Sequence, residues 1–259
     1  MKALTRRTVL TTALAAGLSA PAMAQIRAKR VRIIVCLADN TYQGIVPTTA
    51  KLGNGQDPSN NLYWGALYGL KTHFKNHDMW RTGSVSKDQT GQPDYILDSA
   101  SFGLKQPPFS NDQCFVAAQA WDGKYMKQAI QYFYDSLAQS DGGPDLTIFV
   151  GHNGLMDFPL FASVPSVEVK ARNLERKRAA MVFACNSADY FTDTTRNYGV
   201  NPAVMTHGLM APEAYSIEPA IRAWFKGKSN TDIRRDAAAG YAKYQKIPVR
   251  NARRLFGAG

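Results

Sequence analysis

Two short apolar runs, each ending in a side chain capable of acid–base or nucleophilic chemistry, constrain this chain more than any other feature. Leu146-Thr147-Ile148-Phe149-Val150-Gly151 leads into His152-Asn153-Gly154, and Ala179-Ala180-Met181-Val182-Phe183-Ala184 leads into Cys185-Asn186-Ser187. Runs this short, apolar throughout and bounded by polar or glycine-containing turns, read as strands covered on both faces. In a mostly parallel sheet the loops after the carboxyl ends of the strands form the ligand crevice, so adjacent strands of this kind would deliver an imidazole and a thiol to one edge.

The rest of the chain supplies the alternation such a sheet needs. Residues 31–38 form a near-continuous apolar run ending at Asp39-Asn40 and read as a first, central strand. Residues 41–59 are polar, glycine-containing and too long for an ordinary connection, which marks a functional loop. Residues 60–75 carry Leu62, Tyr63, Leu67, Leu70 and Phe74 at helical spacing and read as the crossover helix. Strands are expected around residues 81–86, 95–102 and 114–118, as a small antiparallel ribbon inserted in the main wind. Asp122 caps an expected helix through Leu137, with Met126, Ile130, Phe133 and Leu137 on one face. An irregular stretch is expected between the histidine and cysteine strands. A further apolar run covers residues 203–210. Two helices follow, residues 213–226 and 230–245, the second opened by Ser229-Asn230-Thr231-Asp232 as a capping box. The expected class is α/β, with helices on both faces of the sheet.

The first 24 residues read as something other than fold. Thr5-Arg6-Arg7-Thr8-Val9-Leu10, a mildly apolar stretch to Leu18 and then Ala22-Met23-Ala24 follow the grammar of a twin-arginine export signal, with cleavage after Ala24. That apolar core is too short and too rich in Thr, Gly and Ser to span a bilayer, and no later run approaches spanning length. The expectation is a periplasmic or secreted protein with no integral membrane segment after cleavage, residues 25–259 forming a single domain. Loss of Lys2, Arg6 and Arg7 lowers the formal charge from +11 to +8. The remaining basic residues are dispersed apart from Arg176-Lys177-Arg178, and no aromatic-basic motif accompanies them, so nucleic acid is not an expected partner. Cys36, Cys114 and Cys185 are an odd set: either Cys36 and Cys114 pair, or both are small buried residues within strands.

The His152 and Cys185 blocks resemble the signature of the caspase-like (clan CD) cysteine peptidases, which include gingipains, legumains, separases and the CHAT peptidases. The likeness continues past Cys185 through an apolar strand, an acid-containing helix, a Gly-Lys-Ser turn and the Ile233 to Ala239 helix, similar to the C-terminal part of CHAT domains. It covers about residues 145–246 at the level of pattern. The resemblance implies a three-layer α/β/α sandwich and a cysteine endopeptidase acting on peptide or protein. Cys185 matches the nucleophile and His152 the general base and acid. Gly154 matches the small residue whose N–H, with that of Cys185, holds the oxyanion. The chain departs from the pattern at Asn153, an extra residue between His152 and Gly154 where the oxyanion geometry is set. In this family the loop after the first strand helps to set substrate preference; here it carries Asp39, Asn40 and Gln43. A buried acid among them would favour a basic side chain, whereas Asp39 as a turn cap would not. Asp189, four residues past the cysteine, is a second candidate.

Other chemistries are poorly served. Four histidines without His-x-His or HExxH spacing do not make a zinc site, although Asp39, Asp157, Asp189 and His152 could meet near the crevice as metal ligands. No G-x-S-x-G elbow and no phosphate-cradling glycine loop is present, and no cofactor is implied. His207 follows the cysteine and so stands in the wrong order for the family's base. The alternative from another class is a degenerate caspase-like domain that binds peptide or glycan, with Tyr42, Tyr63, Trp64 and Tyr68 lining a groove.

Overall fold

The computed structural model describes residues 28–86, 91–105, 113–140 and 142–258. The proposed signal, residues 1–24, lies outside the described residues. Seven strands form one sheet in the order β2-β3-β4-β1-β5-β6-β7, where β1 is Ala28–Cys36, β2 Trp80–Ser86, β3 Ile96–Leu104, β4 Gln113–Trp121, β5 Leu146–Val150, β6 Ala179–Phe183 and β7 Asn201–Val204. The pairings from β4 through β1, β5 and β6 to β7 are parallel. Those of β3 with β2 and β4 are antiparallel. The expected small ribbon is therefore not a separate insertion, because its third strand joins β1 in parallel and extends the main sheet at one edge.

Each face of the sheet has its own core. Ile33, Val35, Ile148, Val150, Met181 and Phe183 pack under α1 (Leu70–Asn76), α5 (Ala214–Phe225), α6 (Asn230–Gln245) and α7 (Val249–Leu255). Ile34, Cys36, Phe149, Ala180 and Val182 pack under α2 (Met126–Ala138) and α4 (Ser187–Asn197), with Val169 of α3 (Val167–Glu175) against them. Strict alternation of neighbours between two cores explains why β5 and β6 are buried at every position. The α2 face is the expected one: Ile130, Phe133 and Leu137 are buried, each worth about 1.5–3 kcal/mol. Among the described residues no helix is long and apolar enough to cross a membrane.

Three expectations fail locally. The crossover helix begins only at Leu70; residues 60–69 form turns because the single carbonyl of Asn61 accepts from the N–H groups of Trp64, Gly65 and Ala66. The same residue's side chain clamps the exit of β1, bonding both the N–H and the carbonyl of Ala38. The stretch between the histidine and cysteine strands is not wholly irregular but contains α3, capped by Ser166. Finally, two helices form beyond those expected: α4, which buries Ser187, Phe191 and Thr195, and α7, which buries Ala252.

Candidate active site

Among the parallel strands the chain winds from β1 outward to β4, then back across to β5, β6 and β7, so the order reverses between β1 and β5. A doubly wound sheet opens its crevice at such a point. Val150 of β5 lies opposite Phe183 of β6, and both face the core under α5 and α6. His152 and Cys185 each stand two residues further on, hence on the same face. With neighbouring strands about 4.8 Å apart, the two side chains leave the sheet side by side. Both line one cleft of about 400 Å³ at this edge.

Local backbone geometry delivers each residue. Gly151 has φ +152°, and a Cβ there would lie 2.8 Å from the Cys36 carbonyl oxygen; only glycine lets the end of β5 pass β1 so closely. After Cys185 the chain turns through Asn186 in the left-handed region (φ 49°, ψ 30°), the residue type besides glycine that enters it most readily, and starts α4 at once. The turn is locked from beneath. Ser187 Oγ donates to the Val182 carbonyl at 2.9 Å and accepts from the Thr206 N–H at 2.8 Å, and the Thr206 hydroxyl donates to the Ala184 carbonyl. Asn153, fully buried, closes the gap between the strand ends: its Nδ2 donates to the Cys185 carbonyl at 2.8 Å and its Oδ1 accepts from the Leu155 N–H. The residue that departs from the family pattern is thus a brace tying the histidine loop to the cysteine.

His152 is 7% exposed, and its Nε2 lies 2.6 Å from Oδ2 of Asp157. With Nε2 held by the carboxylate, Nδ1 is the ring nitrogen left for a thiol proton. Asp157 is 44% exposed and follows the single 3-10 turn Gly154–Met156. In the sequence Asp157 is offered only as a metal ligand, and its signal is the short spacing from His152. The Cys185 sulfur is partly exposed and accepts from the Met210 N–H at 3.4 Å. Among the described residues, the backbone N–H groups of Asn153, Gly154 and Cys185 find no protein acceptor. Tyr63 lines the same cleft as Cys185, and its phenol is pushed well above its usual range by burial and then by its neighbours Cys185 and Glu213. It stays a proton donor at neutral pH. The Glu213 carboxyl is itself raised by burial, against the opposing hydrogen bond from Tyr215.

The other sequence candidates lie elsewhere. Gly154 does not line the cleft; a side chain there would run into Met126 and Phe158, on the α2 side of the sheet. The specificity residues expected after β1 are engaged within their own loop. Asp39 Oδ1 accepts from the N–H groups of Thr41 and Tyr42 and its Oδ2 from Gln56, so it caps a turn. Asn40 closes the loop on Thr48. Gln43 braces the Leu37 and Gly123 carbonyls. Asp189 is exposed in the first turn of α4. None of the four borders the cleft. His207 packs against Gly257 at the end of α7, away from the thiol. Of the four aromatic residues considered for a groove, Tyr63 lines the cleft, whereas Trp64 is buried and donates to Asp98. Among the described residues no cluster of three or more His, Cys, Asp or Glu side chains is arranged to hold a metal.

All three cysteines are free thiols. Register decides the first pair: Cys114 lies opposite Lys29 and Cys36 opposite Trp121, which separates them by seven residues along the ladder, about 23 Å at the usual strand rise. Comparison of the chain with protein-family models, with curated proteins and with solved structures finds no match.

Proposed function

We propose that this chain is an exported cysteine endopeptidase of the caspase-like type, with Cys185 as nucleophile and His152 as general base and acid. The observation that carries the reading is the placement of both side chains two residues beyond a matched strand pair, lining one cleft, with Asp157 bonded to Nε2 of the imidazole. Asp157 orients the ring and fixes its tautomer through the bond to Nε2. His152 takes the thiol proton and the sulfur attacks the carbonyl carbon of the scissile bond. The tetrahedral oxyanion forms within reach of the free N–H of Cys185 and the Tyr63 phenol. Collapse breaks the C–N bond, His152 protonates the leaving amine, and a thioester remains. Water then attacks the thioester with His152 again as base, releasing the acid and restoring the thiol.

Incubation of the purified chain with a denatured protein, followed by mapping of new peptide termini by mass spectrometry, tests this. Cleavage by the natural chain, absent in Cys185→Ala and in His152→Ala, is the expected result; the histidine change lowers turnover by about 10²–10⁴-fold. No cleavage by the natural chain, with a peptide nevertheless retained by it, gives the binding module instead.

A further inference from the structure

Resting on the peptidase reading, we infer that the cleft selects an uncharged, apolar side chain on the acyl side of the scissile bond, in place of the basic one that an acid in the loop after β1 would have favoured. The space around Cys185 is lined by Ile45, Leu62, Met210 and Pro212, together with Tyr63 and Tyr241. Among the described residues, no Asp, Glu, Lys or Arg lines it. Both tyrosines are held protonated, Tyr63 by burial and Tyr241 by burial against a hydrogen bond from the Ala211 N–H. The acids that the sequence offered as counter-charges are turned into their own loop or stand outside on α4.

A charged side chain entering this space would lose hydration and find no free counter-charge among the lining side chains; the Asp157 carboxylate beside Gly44 is engaged by His152, and that of Glu213 by Tyr215. An apolar one loses nothing of that kind and removes from water a rim that is now exposed: Val46 is 86% and Leu209 71% exposed, both at the cleft mouth. Apolar side chains left in water around a concave site gain by being covered. At about 400 Å³ the cleft stands at the low end of the roughly 300–1,000 Å³ range of small-ligand sites, a size for one large side chain and its flanking backbone.

The test uses irreversible peptidyl ketones of one scaffold, varied only at the residue next to the ketone, with labelling of Cys185 followed by intact mass. Leucine, methionine or phenylalanine at that position should label about 10–200-fold faster than arginine or aspartate. Leu209→Asp, a change at an exposed position, should erase most of that advantage and raise labelling by the arginine probe. Faster or equal labelling by the charged probes overturns the inference while leaving the peptidase reading intact. Failure of every ketone to label, whether or not iodoacetamide reaches Cys185, sinks the peptidase reading and the inference with it.

Discussion

Cys36 ends β1 and Cys185 stands two residues past the end of β6, both at the carboxyl edge of the same sheet, yet they occupy opposite environments. Cys36 follows Val35, which faces the core under α5 and α6, and so faces the core under α2, where its thiol touches the Gly123 carbonyl. Cys185 follows Phe183 by two residues and stays on the α5 side, partly exposed, beside His152. A phase of one residue separates a packed thiol from a candidate nucleophile, because neighbours along a strand point to opposite faces. Depth adds to the difference. The loop after β1 folds back over its strand end through Asn61 and Gln43, whereas Asn186 turns the chain away from β6 at once.

The largest contrast should come from truncating each thiol. Cys185→Ala should lower peptide turnover roughly 10⁴-fold or more, as for loss of a nucleophile that acts as a unit with its base. Cys36→Ala should leave turnover near that of the natural chain and cost about 1 kcal/mol of stability, the scale for one buried heavy atom. Equal losses of turnover in the two variants would erase the distinction. Urea melts run beside the assays separate chemistry from folding.

A smaller effect on turnover is expected from Asp157→Asn. The carboxylate is 44% exposed, so the loss should be about 10- to 100-fold, below the roughly 10⁴-fold that a fully buried orienting carboxylate carries. The loss should fall mainly on kcat. A KM change alone would assign Asp157 to substrate binding.

Gly151 links the two regions, since its missing side chain is what lets β5 pass the Cys36 carbonyl. Gly151→Ala should cost about 1–3 kcal/mol through strained backbone and close contact, read as a lower urea midpoint. An unchanged midpoint would mean that the two strand ends are not held against each other as described.

The finest test is the thiols' own titration. Burial, then the carboxylates of Asp122 and Asp39, push the Cys36 thiol far upward; burial pushes Cys114 up to about 12, against the opposing pull of Lys29. Near neutral pH iodoacetamide should therefore modify one cysteine per folded chain, Cys185, and all three once urea unfolds it. The sign for stability follows. A thiol whose folded pKa is raised keeps its proton in the fold after the unfolded chain has lost it. The contribution is complete below the ordinary value of 9.0 and is lost as pH rises from there toward about 12. Urea midpoints across that window should fall, and a rise would contradict the burial of Cys36 and Cys114.

The amino-acid sequence alone determined the local parts. Apolar runs fixed β1, β5 and β6 nearly to their ends, helical spacing fixed α2, and Ser229 fixed the start of α6, since short-range periodicity and capping need no distant partner. The order of His152 before Cys185, each at a strand end, was equally legible. What only the tertiary structure decided lies in contacts between distant segments. The side chain of Asn61 is drawn to Ala38, twenty-three residues away, and residues 60–69 form turns where apolar spacing predicts helix. The polar groups of Asp39 and Gln43, which a sequence offers equally to substrate or to backbone, go to backbone here. Asp157 meets His152, and Tyr63 joins the cleft with Cys185, by the folding of two loops, and strand register places Cys36 far from Cys114. Periodicity reports which face a residue takes, but which groups meet across the crevice is set by how separate strand ends and loops pack together.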